Sequence, residues 1–121
     1  MLRVELDFPA PELFPNRSKG KHWATLHKHK TAARESAYWQ TLAVMKSMRH
    51  LTAHEFFLTI TFEMPDKRHG DADNCLAAAK SALDGVASAL AVDDSRFNPL
   101  IIFRKPGKKP GKMIVQIQET T

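Results

Sequence analysis

The sequence contains one cysteine, no long run of apolar residues and no repeated or low-complexity segment. Because Cys75 is the only cysteine among 121 residues, an intramolecular disulfide is excluded, and the composition fits a reducing compartment such as the cytosol. No stretch approaches the roughly 18 apolar residues of a membrane-spanning helix, and Met1–Glu5 does not resemble the start of a signal peptide. These absences predict a cytoplasmic protein without a membrane partner. The length of 121 residues predicts one domain over residues 1–121.

Positive charge exceeds negative charge along the chain. Lys and Arg number 18 against 13 Asp and Glu, which gives a net charge of +5. Such an excess favours a polyanionic partner, because a basic surface attracts phosphate groups. The polar, basic loop 16–23 is open to two interpretations, a solvated connection or a loop that contacts phosphates. The residues predicted to contact a nucleic-acid backbone are Asn16, Arg17, Lys19, Lys21, Lys67, Arg68, Lys108 and Lys109.

Hydrophobic periodicity divides the chain into six elements. Leu2–Phe8 and Glu55–Met64 alternate apolar and polar residues, which predicts two strands, the second of them central. Apolar residues recur at helical spacing between Thr25 and Met48, and again from Leu76 to Leu90. Two further strands are predicted at Leu100–Phe103 and Met113–Ile117. This order predicts an α+β fold, a two-layer sandwich in which two main helices pack on a mixed sheet of about four strands.

Three local signals refine this outline. Asp73 or Asn74 is expected to cap the second helix, since either side chain can accept a hydrogen bond from a free backbone N–H. Gly85 interrupts that helix, which predicts the close approach of another element. Between the last two strands, the basic segment 104–112 holds two Pro-Gly turn signals and is predicted to be a hairpin tip. The tip is either merely solvated or a basic finger on a phosphate backbone, and its positive charge slightly favours the finger.

Acidic residues are crowded on both sides of the second predicted helix. Asp71 and Asp73 stand where a strand leads into the helix, so both carboxylates can reach one cation there. Crowded carboxylates disfavour each other's ionisation, and a divalent cation such as Mg²⁺ relieves this repulsion. Asp93 and Asp94 follow the helix, so within one subunit they can reach the same ion only if the chain folds back over roughly 25 Å of helix. Otherwise a neighbouring subunit must supply the carboxylate. Lys80 lies two turns after Asp73, on about the same helical face.

The order of these residues resembles a known family. The motifs are Asp71-Ala72-Asp73-Asn74, the helix segment Lys80–Val86, and Val92-Asp93-Asp94. Together they closely resemble the RusA family of Holliday-junction resolvases, which is common in phages and prophages. An early Pro15-Asn16-Arg17 followed by His22-Trp23 is similar to the N-terminal stretch of that family.

The resemblance implies a homodimeric, Mg²⁺-dependent endodeoxyribonuclease that cuts four-way DNA junctions by paired nicks, in DNA recombination and repair. Its metal ligands would fall on Asp71, Asp73 and one or both of Asp93 and Asp94. Its catalytic residues would fall on Asp71, Asp73, Asp94 and Lys80. Asp84, four residues beyond Lys80, is expected to be a helical ion-pair partner of that lysine.

Two other functions remain open at this stage. A non-catalytic protein that binds branched DNA would keep the fold and the basic surface. An enzyme that acts on sugar nucleotides also uses Asp-x-Asp, although the chain is short for that class and lacks a second nucleotide-binding unit. Mg²⁺-dependent nicking of a junction distinguishes the nuclease from the binding protein.

Overall fold

The structure is a computed structural model that describes residues 1–18, 20, 22–46, 55–68 and 70–120. The described residues form four strands and three α-helices, and none of these helices is long and apolar enough to cross a membrane. The elements are β1 (Leu2–Asp7), α1 (Pro15–Ser18), α2 (Trp23–Met45), β2 (Glu55–Glu63), α3 (Ala72–Leu90), β3 (Phe97–Lys105) and β4 (Lys112–Thr120).

The four strands form one mixed sheet in the order β1-β4-β2-β3. β2 pairs in parallel with β3, whereas β4 is antiparallel to both β1 and β2. β1, β2 and β3 therefore run in the same direction, and their C-terminal ends lie at one edge of the sheet. The helix α3 leaves this edge after β2 and returns the chain to the start of β3.

Side-chain alternation along the strands produces the core. Every second residue of β1 is buried, as are alternate residues of β2, because successive side chains of a strand point to opposite faces. The buried faces of β1, β2 and β4 join the apolar face of α3 in one cluster, which includes Phe56, Phe62, Leu83, Val86 and Val115. The predicted α+β sandwich with two main helices on a mixed sheet is confirmed.

The two long helices approach each other closely at Gly85. A Cβ atom at this position would overlap the backbone carbonyl oxygen of Arg34 and would lie 3.1 Å from the Cβ of Ala37. The close approach predicted from this glycine is therefore confirmed. The described residues of α2 that are buried, Ala37 and Thr41, are both small.

The predicted apolar stripe of α2 is only half buried. Val44 and Met45 pack against the edge of the core, while Trp23 and Trp39 are exposed. The predicted end of this helix at Met48 lies outside the described residues.

The predicted hairpin between the last two strands is wrong. β3 and β4 do not pair with each other but lie on opposite sides of β2, so segment 106–111 crosses the C-terminal end of that strand. The backbone N–H of Gly107 donates to the carbonyl of Asp66 at 2.8 Å, and a Cβ at Gly107 would overlap the carbonyl oxygen of Met64. Two apolar strands with turn residues between them fit a hairpin or a crossover equally well, and here β2 pairs with both strands and separates them.

Candidate active site

Asp71 caps the N-terminus of α3. Its backbone is extended, and its Oδ1 accepts hydrogen bonds from the N–H groups of Asp73 at 2.9 Å and Asn74 at 3.4 Å. The expectation that Asp73 or Asn74 is the cap is therefore wrong, because Asp71 already satisfies the free N–H groups of the first turn. Asp73 lies within that turn with an exposed side chain, where the helix dipole favours a carboxylate.

Lys80 joins two acidic residues on the surface of α3. Its Nζ lies 2.7 Å from Oδ1 of Asp84 and 2.5 Å from Oδ2 of Asp94. These hydrogen bonds, first with Asp84 and then with Asp94, raise the pKa of Lys80 above its ordinary value. The predicted ion pair with Asp84 is confirmed, and the contact with Asp94 connects α3 to the second acidic motif.

A left-handed turn after α3 folds the acidic pair back onto the helix. Ala91 ends the helix with a φ of 59°, and the N–H of Val92 donates to the carbonyl of Ala87 at 3.0 Å. The chain then enters a short 3-10 turn at Asp94–Arg96 that Asp93 caps through a 3.0 Å bond from the N–H of Ser95. Hydrogen bonds from Ser95 hold the pKa of the Asp93 carboxyl below its ordinary value, and the nearby charge of Lys80 adds to this effect.

The four predicted metal ligands lie in two pairs along α3. Asp71 and Asp73 lie at its N-terminus, whereas Asp94 contacts the helix at Lys80. Lys80 comes nine residues after Asp71, which corresponds to about 13 Å along the helix axis. No group of three or more His, Cys, Asp or Glu side chains in the described parts of the chain is arranged to hold a metal ion. The turn after α3 therefore brings Asp93 and Asp94 close to Lys80 and not to the N-terminus of the helix.

A cleft opens beside Asp71 at the C-terminal edge of the sheet. Its volume is about 730 Å³, which is within the range of about 300–1,000 Å³ that is typical of small-molecule sites. Side chains of opposite character line it, since Arg17, Arg68 and Lys109 bring positive charge close to the Asp71 carboxylate. The apolar lining comes chiefly from Phe8, Phe14, Met64, Pro65 and Pro110.

The cleft brings together half of the residues that were predicted to contact nucleic acid. Arg68 is already paired with Asp66 through two guanidinium nitrogens, at 3.0 and 2.8 Å. Lys67 and Lys108 are exposed near the cleft without lining it, and Lys19 and Lys21 lie outside the described residues. The predicted residues that line the cleft are Asn16, Arg17, Arg68 and Lys109.

Arg104 contacts the loop that leads into α3, a position that was not predicted from the sequence. Its Nη1 donates to the backbone carbonyl of Gly70 at 2.7 Å, directly before the capping aspartate. The positive charge of Arg104 lowers the pKa of the buried Cys75 thiol. Burial has the larger, opposite effect, so this pKa lies above its ordinary value. The signal that would have found Arg104 is the parallel pairing of β2 and β3, which puts the C-terminal end of β3 next to the loop that enters α3.

Comparison with known proteins finds a distant relative of this chain but no family. No protein-family model matches the chain. An uncharacterized protein from Xylella fastidiosa (strain Temecula1) is 29% identical over 128 aligned residues, which span all of this chain and 78% of that protein. The name of the relative states no activity.

The arrangement combines three chemical capacities. Exposed carboxylates at a helix N-terminus can take a hard cation through their oxygens. A basic cleft next to them can hold a phosphate backbone. An apolar, partly aromatic cleft wall can take a flat, uncharged group. The site is therefore suited to an anion that also presents a flat, uncharged group.

Proposed function

We propose that this protein is a Mg²⁺-dependent, structure-selective endodeoxyribonuclease that resolves Holliday junctions by paired nicks, as the resemblance to the RusA family implies. The contact between Lys80 and Asp94 carries the proposal. It joins the second acidic motif to the helix that Asp71 caps at the rim of a basic cleft, about 13 Å of helix axis from that cap. Cutting a phosphate backbone at a metal ion uses this combination, because cations bind the strand and carboxylates hold the ion.

The donor atoms fit Mg²⁺ by their chemistry. This ion takes oxygen ligands and keeps several waters, so one or two carboxylates with a substrate phosphate are sufficient. Asp71 uses only its Oδ1 in capping, which leaves Oδ2 for a ligand, and the Asp73 side chain is exposed in the same turn. These two residues would hold the ion, with Asp93 and Asp94 as further acidic groups. Bound Mg²⁺ would activate water and neutralise charge that develops on the phosphate.

The remaining residues position the strand. Arg17 and Lys109 can each bind a phosphate oxygen across the cleft, since neither is paired with an acidic side chain among the described residues. Arg104 fixes the backbone before Asp71. Lys80 orients the Asp94 carboxylate, and it is the cation closest to that group.

The proposal includes a homodimer. Paired nicks in a four-way junction need two active sites related by a two-fold axis, which is the commonest symmetry of soluble oligomers. The outer face of the sheet supports a self-association surface, because Ile101 and Phe103 are exposed there, at 37% and 56%. Both belong to β3, which pairs only with β2 among the described strands.

The decisive experiment is a nicking assay on a synthetic four-way junction and on a linear duplex of the same sequence. We expect the wild-type protein to nick the junction only with Mg²⁺, and Asp73→Asn to lose nicking while binding the junction at least as well. Neutralising Asp73 weakens the metal site, yet it also removes negative charge next to the phosphate. Full nicking by Asp73→Asn at limiting Mg²⁺ would rule out its assignment as a ligand.

A non-catalytic protein that binds branched DNA is the second candidate. The observation in its favour is that Lys80 contacts both Asp84 and Asp94, so these two carboxylates already share a cation of the protein. This candidate predicts tight junction binding with no nicking at any Mg²⁺ concentration. The same assay therefore decides between the two functions.

A further inference from the structure

The cleft beside Asp71 has an aromatic wall that the proposed cutting of a phosphate backbone does not explain. The rings of Phe8 and Phe14 are nearly parallel, with an interplanar angle of 19° and centroids 5.8 Å apart. Phe8 also meets the core residue Phe62 edge to face, with centroids 6.4 Å apart. The pair is therefore held in place by the core, while both rings stay only partly buried and line the cleft.

The charges of the same cleft define what kind of molecule fits this wall. Arg17 and Lys109 are exposed and, among the residues the structure describes, have no acidic partner in hydrogen-bond contact. Their positive charge favours an anion over a lipid tail or an uncharged peptide. Asn16 and Asn74 also line the cleft, and their amides can both donate and accept hydrogen bonds.

We propose that this cleft holds one unpaired nucleotide of a DNA strand, with its base against the Phe14 ring and its phosphates on Arg17 and Lys109. Aromatic side chains bind unpaired bases by stacking, and they do so for every base because each has a π face. The spacing of 5.8 Å between the two rings leaves no room for a base to insert between them. The base therefore lies on the cleft side of Phe14.

This assignment rests on the proposed function and gives a reason for its selectivity. A nucleotide can enter the cleft only after it leaves the base stack, and unstacking costs least where a strand is already unpaired or distorted. Intact linear duplex would then present its phosphate to Asp71 only at an additional free-energy cost. A branch point, where strands exchange partners, provides an unstacked nucleotide at lower cost.

The test compares two single strands that differ only in their bases. Binding of metal-free wild-type protein is measured for a short oligothymidylate and for an abasic strand with the same number of phosphates. Because the charges are equal, the ionic contribution is the same for both strands. We expect the abasic strand to bind about 5- to 150-fold more weakly, the effect of losing one stacked base.

Variants locate the effect. Phe14→Ala should bind the oligothymidylate as weakly as the abasic strand, whereas Phe14→Tyr should restore the preference because it keeps the ring. Trp39→Ala, which removes an exposed aromatic of α2, is the matched control and should bind as the wild type does. Melting curves identify any variant that does not fold, and the wild-type comparison of the two strands needs no variant.

The outcomes separate this inference from the proposed function. Equal binding of both strands by wild-type protein would overturn the base site, even if junction nicking is observed. A preference for thymidine bases that Phe14→Ala keeps while folded would overturn the location. A preference that Phe14→Ala removes, in a protein that never nicks junctions, would support the nucleotide site and overturn the nuclease.

Discussion

Asp71 has a structural task as well as its proposed chemical one. One of its carboxylate oxygens accepts the hydrogen bonds that cap α3, which leaves the other for an external ligand. The cap fixes the orientation of the carboxylate at the rim of the cleft. A proposed metal ligand that also starts a helix therefore needs little rearrangement when it binds.

Two substitutions at Asp71 separate these tasks. Asparagine caps a helix about as well as aspartate does, so Asp71→Asn should leave the melting temperature nearly unchanged and abolish Mg²⁺-dependent nicking. Asp71→Ala should lose nicking and also about 1 kcal/mol of folding free energy, the usual cost of a missing cap. Chemical denaturation and junction nicking measured on both variants check this. Normal nicking by Asp71→Asn would contradict the role of the carboxylate.

Lys80 shows which part of the site a sequence can predict. Its pair with Asp84 follows from four-residue spacing on a helix, and the structure confirms it. Its contact with Asp94 depends on the left-handed turn at Ala91. Hydrophobic periodicity does not predict this turn, and an alanine rarely adopts the left-handed conformation. Both pairs are exposed, so their contribution to stability is small, and orientation of Asp94 is their main consequence.

At the scale of elements, the contact between α2 and α3 depends on a missing side chain. An alanine at position 85 would favour the helix by about 1 kcal/mol, yet its Cβ would overlap the backbone of Arg34. Backbone cannot move aside as a flexible side chain can, and overpacking typically costs about 1–3 kcal/mol. We therefore expect Gly85→Ala to be destabilising by about 1 kcal/mol in denaturation experiments.

The control for this prediction is Ser88→Ala in the same helix. Ser88 is exposed, so this variant should unfold within about 0.5 kcal/mol of the wild type. A Gly85→Ala protein that is more stable than the wild type would show that α2 can retreat from α3 without loss.

The connection between β3 and β4 marks the limit of prediction from sequence at this scale. Strand positions followed from alternation, but alternation does not say which strands pair. The crossover is held by backbone contacts with Met64 and Asp66, which lie about 40 residues earlier in the chain. Because a hairpin was predicted, the position of Arg104 next to Gly70 was not predicted. This position follows only from the pairing of β2 with β3.

The basic residues of this crossover fall into two groups. Lys105 and Lys112 each lie within 4.0 Å of a carboxylate oxygen of Glu63, so they help to hold the strand ends together. Lys108 and Lys109 are exposed and have no such partner among the described residues. The second group is therefore the one available to a phosphate backbone.

We expect Lys108→Ala combined with Lys109→Ala to weaken junction binding and to flatten its salt dependence. Each lost phosphate contact lowers the log–log slope by about 0.9, so the double variant should lose about one to two units. Its melting temperature should be nearly unchanged, because surface substitutions without partners have little effect on stability. Junction affinity across a salt titration measures the slope.

A second double variant, Lys28→Ala with Lys30→Ala on the exposed part of α2, removes the same charge elsewhere. It should retain a steeper slope than the crossover variant. Equal slopes in both variants would show that only the total charge of the protein affects binding. The crossover would then be a solvated connection without a specific role in DNA binding.

At the scale of the whole molecule, the sheet separates two surfaces. One face is covered by the long helices and forms the core with them. The other face carries charged and polar residues on β1 but apolar residues on β3, where Ile101 and Phe103 project from the same side. Asp71 and the cleft lie at the C-terminal ends of the parallel strands, so association through the outer face would leave the cleft of each copy open to the proposed DNA substrate.

An exposed apolar strand at the edge of a sheet is a ready site for pairing with another chain. We therefore expect the protein to be a homodimer in solution and Phe103→Asp to shift it to the monomer mass of 13.6 kDa, as measured by light scattering at micromolar concentration. A carboxylate in the middle of an apolar interface must be buried without a partner, which costs several kcal/mol.

Trp39→Asp is the matched control, since Trp39 is exposed on α2, and it should remain dimeric. A dimer that survives Phe103→Asp but not Trp39→Asp would move the interface to α2, and a monomeric wild type would contradict the dimer itself. The Phe103→Asp monomer should nick one strand of a junction without the paired second cut, because one active site remains on each bound molecule.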